Sequence, residues 1–149
     1  MAEEKGDRRP GSWNSASLVI HSNHLTPDEI SQALSTEPTD SGLKGTKRGT
    51  RSPPYKDHFW AVKCPLGDEV RIEEHISWLL DIVEQRVESL AEMISQGTDV
   101  RIQAAISDES GQYPMTFDAQ MLQRLASVPL TLWLTAWMDS ASDKHAEGG

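Results

Sequence analysis

Residues 130–138 read LTLWLTAWM, and this alternation is the clearest structural signal in the chain. Successive side chains of a β-strand point to opposite faces of the sheet, so leucine, alanine and methionine would share one face and threonine and tryptophan the other. A sheet with one apolar face and one mixed face is covered on one side only. We therefore predict a strand whose leucines face the core and whose Trp133 and Trp137 face away from it.

The rest of the chain also alternates between strand and helix patterns. The predicted strands are 17–21, 58–64, 100–106 and 130–138, and the predicted helices are 26–36, 68–96 and a third that follows Asp118. The order β-α-β-α-β-α-β predicts an α+β fold, a two-layer sandwich in which a four-stranded sheet carries all helices on one face. The order of the strands stays open, as does a ferredoxin-like variant of this arrangement.

Two features of the helices refine this prediction. Thr26 and Glu29 have the spacing of a capping box, and Pro27 occupies the first helical position between them. The stretch 68–96 would be roughly 40 Å long as one helix, which is generous for a small domain. A bend or break near Gln85 is therefore compatible with the pattern.

Length and composition set the domain organisation. A chain of 149 residues corresponds to one domain, and we place a single α+β domain at 16–139. The segments 1–15 and 140–149 are polar and lack large apolar side chains apart from one tryptophan, so both are predicted to be disordered tails. The segment 39–57 is rich in glycine, proline and basic residues and is predicted to be a flexible basic loop.

Charge and cysteine content exclude several classes of protein. The net charge of −9 argues against nucleic-acid binding, which requires a basic surface. The single cysteine, Cys64, excludes an intrachain disulfide and fits a reducing compartment. We find no apolar run long enough to span a membrane and no secretory signal pattern, so a cytoplasmic location without membrane contact is expected.

The order of segments resembles one known family. The features that carry the resemblance are LTPDEI at 25–30, a strand with Trp60, IEEHI at 72–76 and FDAQML at 117–122. Together they are similar to a family of small bacterial domains known as domain of unknown function 4279, over about residues 17–139. The resemblance implies a small intracellular bacterial protein, and it implies no activity, cofactor or catalytic residue.

The tryptophans supply the first candidate site. The chain has five tryptophans against two phenylalanines and two tyrosines. Trp133 and Trp137 share the face of the last strand that points away from the core, and Arg101 and Gln103 would form the neighbouring row. Exposed aromatic pairs usually meet a partner. We predict a contact surface here, with a homodimer favoured over a foreign protein. The alternative is coverage by loop 39–57 or by the N-terminal segment around Trp13.

The second candidate site is the basic loop 44–51. Lys44, Lys47, Arg48 and Arg51 lie among glycines, and such a loop could hold an anion. It lacks the spacing and the strand–loop–helix context of a P-loop. The alternative is a mobile solvated loop.

Other chemistry is weakly represented. His21 and His24 lie three residues apart at a strand end, His58 lies on another strand, and no cysteine cluster completes a metal site. Cys64 lies at a strand end beside apolar residues, where cysteine usually serves as a small hydrophobic side chain. We predict no metal, no nucleotide and no other cofactor.

These observations favour a non-enzymatic protein-binding module with an unknown partner. By analogy alone, a toxin-neutralising immunity protein is one form of such a module. The alternative is a small-ligand-binding domain or an enzyme that uses His21, His24, His58 and the basic loop 44–51. A deep pocket lined by those side chains would favour the alternative, and a flat surface would favour the module.

Overall fold

The computed structural model describes residues 12–108 and 112–138, and these residues form five strands and four α-helices. The strands are β1 (Ser12–Ser22), β2 (Asp40–Gly42), β3 (His58–Lys63), β4 (Asp99–Asp108) and β5 (Thr131–Met138). The helices are α1 (Pro27–Leu34), α2 (Ile72–Val83), α3 (Val87–Ser95) and α4 (Ala119–Ala126), and a 3₁₀ turn at Glu84–Arg86 joins α2 to α3.

The strands form one mixed sheet in the order β2-β3-β1-β4-β5. All neighbouring pairs are antiparallel except β4 and β5, which run parallel and are joined through α4, as a parallel pair requires a crossover connection. The predicted α+β class is confirmed, as is a common sheet for the last two strands. The predicted count of four strands is wrong, because β2 forms a fifth.

The extra strand reveals the plan of the sheet. From β1 to β4 the element order is β-α-β-β-α-β, and β3 lies between β1 and β2 while β1 lies between β3 and β4. This is the split βαβ arrangement of ferredoxin-like domains, the variant that the sequence left open. The unit formed by α4 and β5 extends that sheet beyond β4.

The first strand begins earlier than predicted. β1 starts at Ser12 rather than near residue 17, so residues 12–15 belong to the sheet and not to a tail. The segment looks polar in the sequence, but its Asn14 is buried. The Asn14 Nδ2 donates to the Val70 carbonyl at 2.7 Å and to the Tyr113 hydroxyl at 2.9 Å. The remainder of the predicted tails, 1–11 and 140–149, lies outside the described residues.

The segment 39–57, predicted to be a flexible basic loop, contains regular structure. It contains β2, which pairs with β3, and the turn beyond it closes on itself. The amide of Gly45 donates to the Tyr55 carbonyl at 2.9 Å, and the amide of Tyr55 donates to the Thr46 carbonyl at 2.8 Å. Gly45 has a φ of +87°, a conformation that favours glycine.

The long middle helix is divided where its pattern allowed a break. The 3₁₀ turn at Glu84–Arg86 separates α2 from α3, and α2 begins at Ile72, four residues after the predicted start. The chain leaves α3 through Gly97, which has a φ of +97°, as a helix-terminating glycine often does. The break lets two shorter helices cover a sheet that one straight helix would overshoot.

The core lies between the sheet and the helices. Trp60 is fully buried and its Nε1 donates to Ser31 Oγ on α1 at 3.0 Å. The largest fully buried apolar side chains are Trp60, Leu18, Ile20, Ile30, Leu34, Ile72, Ile76, Leu79, Leu80, Leu90 and Ile102. The strand members of this group lie on one face of the sheet, and each of the four helices adds side chains to the same core. Within 12–108 and 112–138, the helices therefore pack on that face.

Candidate functional site: the open sheet face

The face of the sheet that points away from the helices is built by strand alternation alone. The register places Ser17 opposite both Lys63 and Gln103, and Gln103 in turn opposite Trp133. Ser17, Lys63 and Gln103 are out of phase with the fully buried Leu18, Trp60 and Ile102 of their strands, and Val19 and Ala61 on their own side are buried as well. We call the surface shared by Ser17, Lys63, Gln103 and Trp133 the open face.

A tryptophan patch occupies the β5 side of the open face. Trp133 and Trp137 are 50% and 58% exposed, and Trp13 on β1 is 37% exposed. Trp13 and Trp137 both lie opposite Ser107 of β4, on its two sides. The two β5 indoles therefore face away from the core, as the alternation predicted.

Leu134 departs from the prediction for this strand. It is 40% exposed, whereas Leu130 and Leu132 are half-buried against the core. β5 is the last strand of the sheet, so the helical layer covers only its first half. The leucines of β5 lie on the predicted side of the sheet, but Leu134 lies beyond the edge of the core.

Arg101 fixes one of the indoles. Its guanidinium carbon lies 4.5 Å from the centre of the Trp133 ring, and its Nη2 donates to the Asp99 carboxylate at 2.5 Å. A guanidinium stacked on an indole is attracted by the ring quadrupole. Trp133 is thus held in place although half of its surface is uncovered.

A groove of about 930 Å³ continues from the patch towards β2. Its floor is formed by small and medium side chains such as Ser17, Val19 and Ala61, and Lys63 lies at its rim. Ser17 and Gln103 also line a smaller cleft of about 310 Å³ beside Trp133. The groove and the tryptophan patch therefore form one continuous surface.

The far wall of the groove is aromatic and capped by a cation. The Phe59 ring lies 5.4 Å from His21 and 6.2 Å from Tyr55, centre to centre. The guanidinium of Arg48 lies over Tyr55 and Phe59 and is ion-paired with Asp40 at 2.9 Å. The hydrogen bond to Asp40 and the charge of its carboxylate raise the pKa of Arg48 above its ordinary value.

One of the four candidate anion-binding residues contributes to the groove. All of Lys44, Lys47, Arg48 and Arg51 are exposed, and of these Arg48 lines the groove. The charge of Arg48 is balanced by Asp40. The loop thus supplies a wall of the groove, which the charge pattern of the sequence did not predict.

The three candidate histidines have different surroundings. His21 faces the groove, whereas His58 has the opposite parity and its Nδ1 accepts from the Lys44 amide at 3.0 Å. His24 lies in the turn after β1, beside Asn23 and Gln96. Within 12–108 and 112–138, no group of three or more histidine, cysteine, aspartate or glutamate side chains is placed to hold a metal ion.

Cys64 is buried at the end of the groove. Burial raises the pKa of its thiol, and a hydrogen bond involving the Leu66 backbone opposes that shift without reversing it. A thiol with a raised pKa is a poor nucleophile. This agrees with the structural role predicted for Cys64.

Several residues of the open face were not identified as site residues from the sequence. They are Trp13, His21 as a groove residue, Tyr55, Phe59 and Lys63. In β3, Phe59 and Lys63 alternate with the buried Trp60, and this alternation could have predicted that they lie on the open face. Nothing in the sequence predicted that Tyr55 would fold back over Phe59.

Comparison with known proteins identifies one family. A family model described as Domain of unknown function (DUF4279) matches residues 12–139. No curated protein and no solved structure matches the chain. In the described part of the chain, no helix has both the length and the apolar character needed to cross a bilayer.

Proposed function

The chain belongs to this family, Domain of unknown function (DUF4279), and since that description names no activity we propose a function from the geometry: it is a protein-binding module whose binding surface is the open face. The observation that carries the proposal is the exposure of Trp133 and Trp137 beside an uncovered groove. Tryptophan is among the commonest anchors of protein interfaces.

The arrangement of the open face supports this function in two ways. Arg101 holds Trp133 in one orientation before any partner arrives, which lowers the conformational cost of binding. The apolar patch and floor are bordered by Lys63, Asp40 and Arg48, which matches the apolar centre and polar rim of known interfaces.

The width of the groove suggests what the partner presents. From β3 to β5 there are three strand spacings, or about 14 Å. The register aligns Trp133 with Lys63, and Phe59 lies four residues further along β3, so the two aromatic walls are about 19 Å apart on a diagonal. An α-helix rises about 5.4 Å per turn, so a segment of about four turns spans this diagonal. An amphipathic helix of the partner, lying along the diagonal on β1 and β4, would contact both walls. Neutralisation of a toxin is one biological form of such binding.

The test uses the uncovered indoles. Wild-type protein, a Trp133→Ser, Trp137→Ser double variant and a Leu122→Ser variant are used to capture proteins from the native cell. Leu122 is the matched control because it is exposed on α4, away from the open face. We expect a protein retained by the wild type and by Leu122→Ser and lost from the double variant.

The candidate partner is then purified and titrated. Loss of two anchor residues predicts at least tenfold weaker binding, since an anchor contributes about 2 kcal/mol or more. Equal binding by the double variant would place the interface elsewhere and contradict the proposal.

A small ligand in the groove is the second candidate function. The groove volume and the presence of His21, Arg48 and Lys63 on its walls favour it. Native mass spectrometry of the purified protein would detect a retained molecule. Loss of that molecule in a Lys63→Gln variant, with no effect of the two tryptophan substitutions, would favour this alternative over the protein-binding module.

A further inference from the structure

The two edges of the sheet are built very differently. β2 has three residues, includes Asp40, and leads into the turn that folds back on it. β5 has eight residues, TLWLTAWM, with no charged residue, proline or glycine. Natural sheets protect their edges with short strands, charges, prolines or covering loops. β2 has such protection, and β5 has none within its own sequence.

The outer side of β5 has no strand beside it among the described residues. β5 pairs with β4 on its inner side and is the last strand of the sheet. Every second backbone N–H and C=O of an edge strand points outwards, where it can pair with another strand. Exposed apolar side chains lie on both faces of this edge, Leu134 on one and Trp133 and Trp137 on the other.

The sequence of β5 is complementary to itself when it is read in the antiparallel direction. With a two-fold axis at Thr135, Thr135 lies opposite its own copy. Trp133 then lies opposite Trp137 of the second copy, and Trp137 opposite Trp133. On the other face, Leu134 lies opposite Ala136. Directly opposed aromatic residues and opposed threonines are favourable cross-strand pairs.

We propose that β5 pairs antiparallel with β5 of a second copy about a two-fold axis at Thr135, so that two five-stranded sheets join into one sheet of ten strands. β5 itself brings no charged side chain to the seam. The exposed Leu134 acquires an apolar neighbour from the second copy.

This inference goes beyond the proposed function, because it concerns the edge of the sheet rather than its face. In the dimer the four indoles of the two β5 strands lie side by side on one surface. The two open faces thereby become one two-fold symmetric binding surface. Dimerisation and partner binding are measured separately, so either one can fail without the other.

Sedimentation of the unmodified chain is the first test. We expect a dimer that dissociates on dilution, and a monomer even at hundreds of micromolar would overturn the proposal. An Ala136→Lys variant places a charge at the exposed seam. It should be monomeric, with an unchanged far-ultraviolet circular dichroism spectrum and a melting temperature that no longer depends on protein concentration. A dimer unaffected by this substitution would locate the interface elsewhere.

Cysteine cross-linking tests the register. In a Cys64→Ala background, Thr135→Cys places two cysteines on the axis, within the Cα separation that a disulfide allows. The matched control is Thr131→Cys, on the same face of the same strand, whose two copies would be about 27 Å apart. We expect oxidation to give a covalent dimer at 135 and none at 131. Equal cross-linking at both positions, or cross-linking at 131 alone, would overturn the proposed pairing.

Discussion

The guanidinium carbon of Arg101 lies 4.5 Å from the centre of the Trp133 indole. The two residues are on adjacent parallel strands, where Arg101 lies opposite Thr131 and Trp133 lies opposite Gln103. The contact is therefore a diagonal across β4 and β5. Asp99 holds the guanidinium from the same strand as Arg101, so an anion, a cation and an indole are arranged in sequence along the open face.

A double-mutant cycle measures this contact. Arg101→Met and Trp133→Leu, singly and together, should give a coupling free energy of unfolding of about 0.5–1 kcal/mol, the range for a cation over an exposed ring. The matched cycle of Arg101→Met with Trp137→Leu should give a coupling near zero, because the observed stacking is on Trp133. Equal coupling in both cycles would show that Arg101 acts through the general charge of the face. The measurement is urea unfolding at one pH and protein concentration.

The hydrogen bond between Trp60 and Ser31 links the core to α1. Removal of the Ser31 hydroxyl leaves the buried Nε1–H of Trp60 without that partner, and an unpaired buried donor costs about 1–3 kcal/mol. Ser31→Ala should lower the free energy of unfolding by that amount. Gln32→Ala, at an exposed position of the same helix, should have little effect. Adding Ser31→Ala to Trp60→Phe should cost less than it does alone, since the donor is then absent.

The strands and helices with regular periodicity could be predicted from the sequence. The capping box was correct in detail, since Thr26 Oγ1 accepts from the Glu29 amide at 3.2 Å and the Glu29 carboxylate accepts from the Thr26 amide at 3.0 Å. Such signals are local, because cap and partner are three residues apart. The outward direction of Trp133 and Trp137 was equally local, because alternation alone determines it.

The missed features depend on contacts between distant parts of the chain. β2 is a strand because Asp40 and Gly42 find partners on β3, about twenty residues later. The first residues of β1 are sheet because buried Asn14 is hydrogen-bonded to Val70 and Tyr113. A polar residue in a strand gives no periodic signal. The groove was missed for the same reason, since its wall forms when Tyr55 stacks on Phe59.

Arg124 links α4 to α2 and makes stability depend on pH. Its guanidinium donates to Glu84 at 2.8 Å and to Asp81 at 2.7 Å. The hydrogen bond from Arg124 lowers the pKa of Glu84, against a smaller opposing effect of burial. A carboxyl group whose pKa is lowered by folding stabilises the protein at pH values above its pKa in the unfolded chain, which is about 4.3. This stabilisation is lost as the pH falls through the pKa of the folded state.

Arg124→Ala should therefore destabilise the protein at neutral pH and much less in acid. We expect a loss of about 1 kcal/mol at pH 7, a modest figure because the carboxylates are more than a third exposed and solvent screens them. The difference from wild type should shrink below about pH 4. Urea unfolding across this range measures it, with Arg51→Ala on the basic loop as the control. A difference that stays constant with pH would mean that Arg124 contributes by packing alone.

Tyr55, in the aromatic wall of the groove, packs against Gly42, which has no side chain to obstruct the ring. A Cβ added there would overlap the ring of Tyr55, lying 2.7 Å from its Cζ and 2.9 Å from its Cδ2. Gly42→Ala should therefore push Tyr55 off Phe59 and loosen the turn that follows β2. The amides of Gly45 and Tyr55, which are hydrogen-bonded across this turn, should exchange with solvent faster.

The matched control is Gly49→Ala in the same loop, where the nearest atom is 3.7 Å from the added carbon, and it should leave both exchange rates unchanged. Overpacking of this kind costs about 1–3 kcal/mol where the neighbouring group cannot move. The Tyr55 ring can swing outwards, which reduces the effect on the free energy of unfolding. Amide hydrogen exchange is therefore the more sensitive measurement. Wild-type exchange in Gly42→Ala would show that Tyr55 does not rest on Gly42 in solution, and that the aromatic wall of the groove is not a fixed part of the binding surface.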